Sequence, residues 1–208
     1  EPLVPANMQL RRQTRIGSPV DRTVPPRDVD GATLFVPRNG PQLREFLFTD
    51  SEQAYQSTDL ALLARHLIRQ PVDMDYDRAE RLLHVVMADG TMATLTVYRE
   101  EEVSAWSQQE TAGTFLAVAS VGERTYVLVE RSMGFFVEVF DAALNVDAAL
   151  TGTSSPAKLT WSGLDHLEGL SVKILADGAV RSEATVGGGS ITLEDPAEGG
   201  SKVKCYRV

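Results

Sequence analysis

The stretch Leu82–Trp106, LLHVVMADGTMATLTVYREEEVSAW, decides the fold. Two apolar runs flank Asp89-Gly90, a dipeptide suited to a tight hairpin because both central residues of a type I′ turn need φ > 0. Leu83, Val85 and Met87 alternate with Leu82, His84 and Val86. The strand is therefore apolar on nearly both sides, which predicts a central place in a sheet with two covered faces. Beyond the turn, Met92, Thr94, Thr96 and Tyr98 alternate with Ala93, Leu95 and Val97. Glu100-Glu101-Glu102 interrupts the pattern, and Val103, Ala105 and Trp106 resume it. The stretch reads as a β-meander, and no residue set within it suggests chemistry.

The pattern continues downstream. Phe115–Val121, Arg124–Arg131 and Phe135–Asp141 are strand-like runs, separated by turns at Gly122-Glu123 and Ser132-Met133-Gly134. Strands at this spacing with turns of a few residues indicate an all-β architecture, whether propeller blade, sandwich or open barrel. Ala142–Ala157 then shifts to Ala, Thr, Ser and Gly. Short runs follow at Lys158–Trp161, Ser171–Ala176, Gly178–Arg181, Ser190–Leu193 and Lys202–Arg207. They predict a small β-module that leans on the larger unit.

Upstream, Thr33–Pro37 and Gln42–Thr49 flank Arg38-Asn39-Gly40-Pro41, a hairpin signal. In Asp59–Arg69, Leu60, Leu63, Ala64, Leu67 and Ile68 recur at helical spacing, with Ser57 or Thr58 as N-cap and Pro71 as the stop. This predicts the one short amphipathic helix. Asp73-Met74-Asp75-Tyr76-Asp77 has the alternating aspartates that open a calcium loop, but the sixth and twelfth positions hold Arg78 and His84 in place of Gly and Glu. It reads as an acidic linker. Residues 1–31 hold five prolines and five arginines with almost no periodicity, an extended arm that lies on its own domain or adds to a neighbouring subunit. The expected organisation is an arm at 1–31, an antiparallel β unit at 32–145 containing the helix 59–69, and a β-module at 146–208.

The chain has 208 residues, 43% of them hydrophobic and 24% charged, ordinary values for a globular protein with a real core. The net charge is −9. The first thirty residues carry +1, so the rest is acidic and unsuited to gripping nucleic acid through phosphates. No apolar run approaches the ~18 residues of a membrane helix. Glu1 in place of Met, and Val208 inside an apparent strand, suggest a processed chain or an excised piece. The single cysteine, Cys205, excludes an internal disulfide and fits a reducing compartment; the expectation is a small buried residue on an edge strand.

Catalytic candidates are few. Ser162-Gly163-Leu164-Asp165-His166 gathers the residue types of a nucleophilic triad, but adjacency is not convergent geometry and no G-x-S-x-G elbow surrounds Ser162. His66, His84 and His166 share no metal-ligand spacing. Gly187-Gly188-Gly189 lacks the Lys-Ser/Thr and the strand-then-helix context of a phosphate cradle. Trp106, Trp161, Tyr126 and Tyr206 could stack on sugars. No catalytic, cofactor-binding or metal-ligating residue is assigned, and the expectation is a non-enzyme without cofactor.

Four stretches together resemble one known set. They are Leu82–Trp106, FLAVASVGERTYVLVER at Phe115–Arg131, SGLDHLEGLSVKILADGAVRSEATVGGGSITL at Ser162–Leu193, and LFVPRNGPQLREFLFTDSEQAYQSTDLALLARHLI at Leu34–Ile68. They look like the C-terminal part of a large structural protein of tailed phages and prophages, similar to the tail nozzle (tail tubular protein B) of short-tailed phages. The likeness covers about residues 31–193. It implies a propeller-like virion component that forms rings with other copies of itself and lines the DNA-exit channel. Its partners would be connector or portal-side and tail-fibre proteins, with DNA passing without sequence-specific binding and no membrane. The place implied is the virion tail, assembled in the bacterial cytoplasm. Members of that family are several times longer, so a full propeller is not expected to close here. The alternative reading is a receptor- or glycan-binding β-module; an enzyme or accessory domain is a third.

Overall fold

The computed structural model describes residues 16–20, 24–51, 53–99, 101, 103–144 and 146–197, and the backbone of Val203–Arg207. Most of the expected arm lies outside the described residues. The part that is described does not stay an arm. Arg27–Val29 (β1) pairs with Ala32–Phe35 (β2), and Arg44–Thr49 (β3) and Ala54–Asp59 (β4) complete a four-stranded antiparallel sheet in sequence order. Val24 and Val29 are buried, and two apolar side chains suffice to recruit this edge into the sheet.

The second sheet repeats the scheme with Pro71–Asp77 (β5), Leu82–Met87 (β6), Met92–Tyr98 (β7) and Val103–Gln109 (β8). A third follows from Thr114–Val121 (β9), Arg124–Arg131 (β10) and Gly134–Val139 (β11). The mainly β, antiparallel class expected from the sequence is what the chain adopts.

The second sheet is the middle layer, because β6 and β7 bury side chains on both sides. Leu83, Val85, Met87, Ala93, Leu95 and Val97 face the first sheet, in a core shared with Val29, Leu34, Ile68 and Met74. Val86 and Met92 face the third, with Phe115, Val118, Val127 and Val129. Full burial of such side chains is worth about 1.5–3 kcal/mol each, so the double-sided apolar pattern of β6 is the main energetic reason three sheets stack.

The Asp89-Gly90 hairpin forms, but not as a type I′ turn. Gly90 has φ +82, and Asp89 is not among the described non-glycine residues of positive φ. The Gly90 N–H donates to Met87 O at 3.0 Å and the Met87 N–H to Thr91 O at 2.9 Å, a type I turn closed by a glycine bulge. The Asp89 carboxylate accepts from the Thr91 N–H and hydroxyl, which favours this alternative. Gly90 also carries a packing role: a Cβ there would lie 2.4 Å from the Thr114 methyl, while its carbonyl accepts the Phe115 N–H at 2.9 Å.

Asp59–Arg69 is not a helix. Ser57 and Thr58, the expected caps, and Asp59, the expected first helical residue, end β4, and the remainder forms turns with a 3-10 segment at Arg65–Leu67. Leu60, Ala61, Leu67 and Ile68 do reach the first core, but Leu63 is 95% exposed. What remains after β4 is shorter than the ~12 residues at which even good helix formers become marginal alone. Pairing with β3 therefore wins over local periodicity.

The acidic linker is β5 itself. Asp73, Asp75 and Asp77 alternate on the side facing the third sheet, and each uses both carboxylate oxygens. Asp73 accepts the N–H groups of Met74 (2.9 Å) and Val118 (2.9 Å), and Asp75 those of Tyr76 (2.9 Å) and Ser120 (2.7 Å). Asp77 accepts from Ala79, Glu80 and the Thr125 hydroxyl. Arg27 of β1 donates to Met74 O and pairs with Asp75 at 3.0 Å. The edges of β5 and β9 are thus joined by side-chain carboxylates rather than by a backbone ladder, which satisfies edge donors that would otherwise invite pairing with another chain.

The remaining strands surround a separate core of Trp161, Leu164, Leu167, Val172, Ile174, Ile191 and neighbours. Asp147–Gly152 (β12), Lys158–Ser162 (β13), Ser171–Ala176 (β14), Ala179–Thr185 (β15), Ser190–Ala197 (β16) and Val203–Arg207 (β17) form a sheet ordered β12-β17-β14-β15 and a β13-β16 pair. Cys205 is therefore on an interior strand, not an edge; its side chain lies outside the described residues. Arg131, with its side chain 3% exposed, links the units. It donates to Glu138 on β11 and, at 3.1 Å, to Asp147 at the start of β12. Asp147 also accepts from the Thr111 hydroxyl and the Ala112 N–H. Burial would raise the Asp147 pKa, but the Ala112 N–H, Arg131 and Thr111 outweigh it and hold the carboxyl below its usual value.

Two outcomes follow from this packing. In Asp73→Asn or Asp75→Asn the amide NH2 must face one of two N–H donors, so each substitution costs about 1–3 kcal/mol in urea unfolding. An unchanged midpoint in the double variant means the carboxylates do not hold the sheets. Gly90→Ala combines positive φ with overpacking against Thr114 and is expected to cost about 2 kcal/mol in the same measurement.

Candidate functional surface

Of the triad candidates, His166 bonds to backbone and Asp165 packs against a glycine. Ser162 lies on β13 opposite Ser190. His166 donates from Nε2 to Ala148 O at 3.1 Å, across to β12. The Asp165 carboxylate closes over Gly189, where a Cβ would lie 2.2 Å from Oδ1. Glu168, three residues on, accepts the N–H groups of Gly188 (3.0 Å) and Gly189 (2.7 Å). Successive glycine N–H groups of this kind form an anion-binding concavity, and here the chain's own Glu168 fills it. Leu164 and Leu167 anchor the segment in the second core. The run Ser162–Gly169 is a clamp on the Gly187–Gly189 turn.

The other singled-out residues are dispersed. His66 is exposed, and its carbonyl accepts from Arg69 Nε. Trp106 packs on the first core and donates from Nε1 to Leu60 O at 2.9 Å. Trp161 is 6% exposed, with the Lys158 ammonium 4.3 Å from its ring centre. Tyr126 is half-buried on the third sheet, and the Tyr206 side chain lies outside the described residues. A cleft of about 310 Å³ between β15 and β16 is lined by Val180, Arg181, Ser182, Thr192, Glu194 and Asp195 among others.

His84 is buried, unlike exposed His66 and half-buried His166. It lies between the second and third sheets, its Nδ1 3.0 Å from the Thr94 hydroxyl and its ring stacked 5.4 Å from Phe140. Burial pushes its pKa down to about 4, against the opposing pull of Asp77 and Asp75. The neutral imidazole is therefore the folded form.

The surface with an interaction character lies at the two ends of the stack. On the third sheet, the side away from the core carries Ala117, Ala119 and Val121 of β9, Tyr126 and Leu128 of β10, and Phe135, Val137 and Val139 of β11, as the strand register sets. Phe135 is 67% exposed and Val137 74%. Apolar patches of this kind mark association sites. On the first sheet, the outward side carries Phe35, Phe46, Phe48 and Tyr55. Phe46 stacks on Tyr55 with centroids 4.7 Å apart, and Phe48 meets Tyr55 edge-on at 5.2 Å. The third-sheet residues escape sequence reading because Phe135, Val137 and Val139 form the wholly apolar parity, while Glu138 stands on the covered one, where Arg131 neutralises it.

Acidification is expected to destabilise the fold, and the sign follows from the depressed pKa. The unfolded chain protonates its histidine near pH 6.5 and the folded chain near 4, so stability present above pH 6.5 is lost as pH falls toward 4, by up to about 3 kcal/mol. Urea unfolding at pH 7, 5.5 and 4.5 measures the slope, and His84→Gln should flatten it. An equal slope in that variant would assign the effect elsewhere. Compared with protein-family models and with curated proteins, the chain matches none.

Proposed function

We propose that this chain is a structural component of a phage or prophage-derived virion tail, of the nozzle or adaptor class, supporting a DNA-exit channel. The observation that carries the reading is the pair of apolar outer faces on a stack of sheets whose layers are cross-braced by Asp73, Asp75 and Asp77 and which Arg131 ties to the second unit. A scaffold needs a rigid body and surfaces to assemble through. The stretches that resemble nozzle sequences also hold structure in this chain: Gly90 seats Thr114, Arg99 pairs with Glu45 across the first two sheets, Trp106 closes over Leu60, and Glu168 clamps Gly188 and Gly189. A net charge of −9 suits a wall that passes DNA without holding it.

A receptor- or glycan-binding role is the second reading. It is favoured by the exposed rings of Phe48 and Tyr55 rather than by the tryptophans, which are packed inward. Mass spectrometry and negative-stain imaging of purified tailed particles carrying the gene test the first reading. The chain is expected in the particles, and a protein that stays free of them overturns it. Hits on a glycan array lost on Tyr55→Ala would favour the second.

A further inference from the structure

Resting on the tail reading, we propose that the subunits associate head to tail, the outer face of the first sheet in one copy seated on the outer face of the third sheet in the next. Within one chain the apolar sheet faces that meet are the first on the second and the second on the third. The two that remain are at opposite ends of the stack, so neither can cover the other in the same molecule. A second copy brings both kinds of face.

The two faces also suit each other in shape and charge. The first sheet offers the rings of Phe46, Phe48 and Tyr55; the third offers small and branched side chains, Ala117, Ala119, Val137 and Val139, between which rings can settle, with Tyr126, Leu128 and Phe135 on the same face to meet them. On a chain of net charge −9, each face carries both signs. By strand register the first holds Asp28, Asp59 and Arg44, and the third Arg124 and Glu130. Copies therefore approach through near-neutral surfaces instead of their acidic flanks, which limits like-charge repulsion. A contact between two different faces is heterologous, so repetition closes a ring when the rotation allows and runs into a filament when it does not.

The test uses the full chain in sedimentation velocity, with Phe48→Glu on one face and Val137→Glu on the other. Both sites are exposed, and circular dichroism confirms that each variant folds. The unmodified chain is expected to sediment as a multi-subunit species at tens of micromolar, and each variant alone as a monomer. Mixing the two variants should yield a 1:1 dimer, because the mixture contains one intact pair of faces. A wild-type monomer at all concentrations overturns the proposal. So does either variant dimerising alone, which would mean that one face pairs with itself. Self-association without incorporation into particles would reject the tail reading and leave the contact standing. Incorporation of both variants at wild-type levels would reject the contact and leave the tail reading standing.

Discussion

The carboxylate of Asp75 is the point on which the three stacked sheets depend. It belongs to β5 at the rim of the middle layer, takes the Ser120 N–H from the third sheet, and pairs with Arg27 from the first. Backbone pairing binds strands within a layer, and apolar burial presses layers together without fixing how they lie. Directional bonds from Asp73 and Asp75, two residues apart, fix the position of β9 along β5, and Asp77 adds the Thr125 hydroxyl of β10; a shift by one residue would turn every carboxylate away. Apolar packing supplies most of the free energy of stacking, and these hydrogen bonds choose among the stacked arrangements.

The same device recurs wherever the chain would leave polar backbone open. Asp147 ties the Thr111-Ala112 segment to the second unit, Asp89 shapes its own turn, and Glu168 fills the Gly188-Gly189 concavity. An acidic composition that could suggest a solvated or ion-binding surface is in good part internal bracing. Burial would raise Asp77 and Asp147, but the donors they accept outweigh it, and the Thr91 hydroxyl leads the groups that lower Asp89, so all three carboxyls are held below their usual value. The fold is accordingly built for neutral pH, and buried His84 adds to that dependence.

Strands with an apolar or alternating signature were legible in sequence: β6, β7, β10 and β14 lie where their patterns place them. The failures have a physical cause in common. β4 (AYQSTD) and β12 (DAALTG) hold few strand-favouring residues and become strands because a neighbour presents an edge. β5 was hidden by three aspartates, residues poor in strand propensity, whose partners lie about 45 residues downstream. The stripe of Leu60, Leu63, Ala64, Leu67 and Ile68 mimicked a helix because a turn-rich segment crossing a core also buries some positions and exposes others. The outer faces could not be read locally, as burial of Phe135 or Val137 depends on what stands opposite, not on the residues themselves.

The placement of β17 has a consequence for the order in which the chain can fold during synthesis. The first three sheets pair neighbours in sequence and can form as each emerges from the ribosome. β17 comes after β12, β14 and β15 yet stands between β12 and β14, with Cys205 opposite both Leu150 and Ile174. Until it is made, those two strands have no common partner, and the centre of their sheet is an open slot. Of the described units this one is thus the slowest to close, since its contacts span some fifty residues. During that interval the nascent module exposes two strand edges.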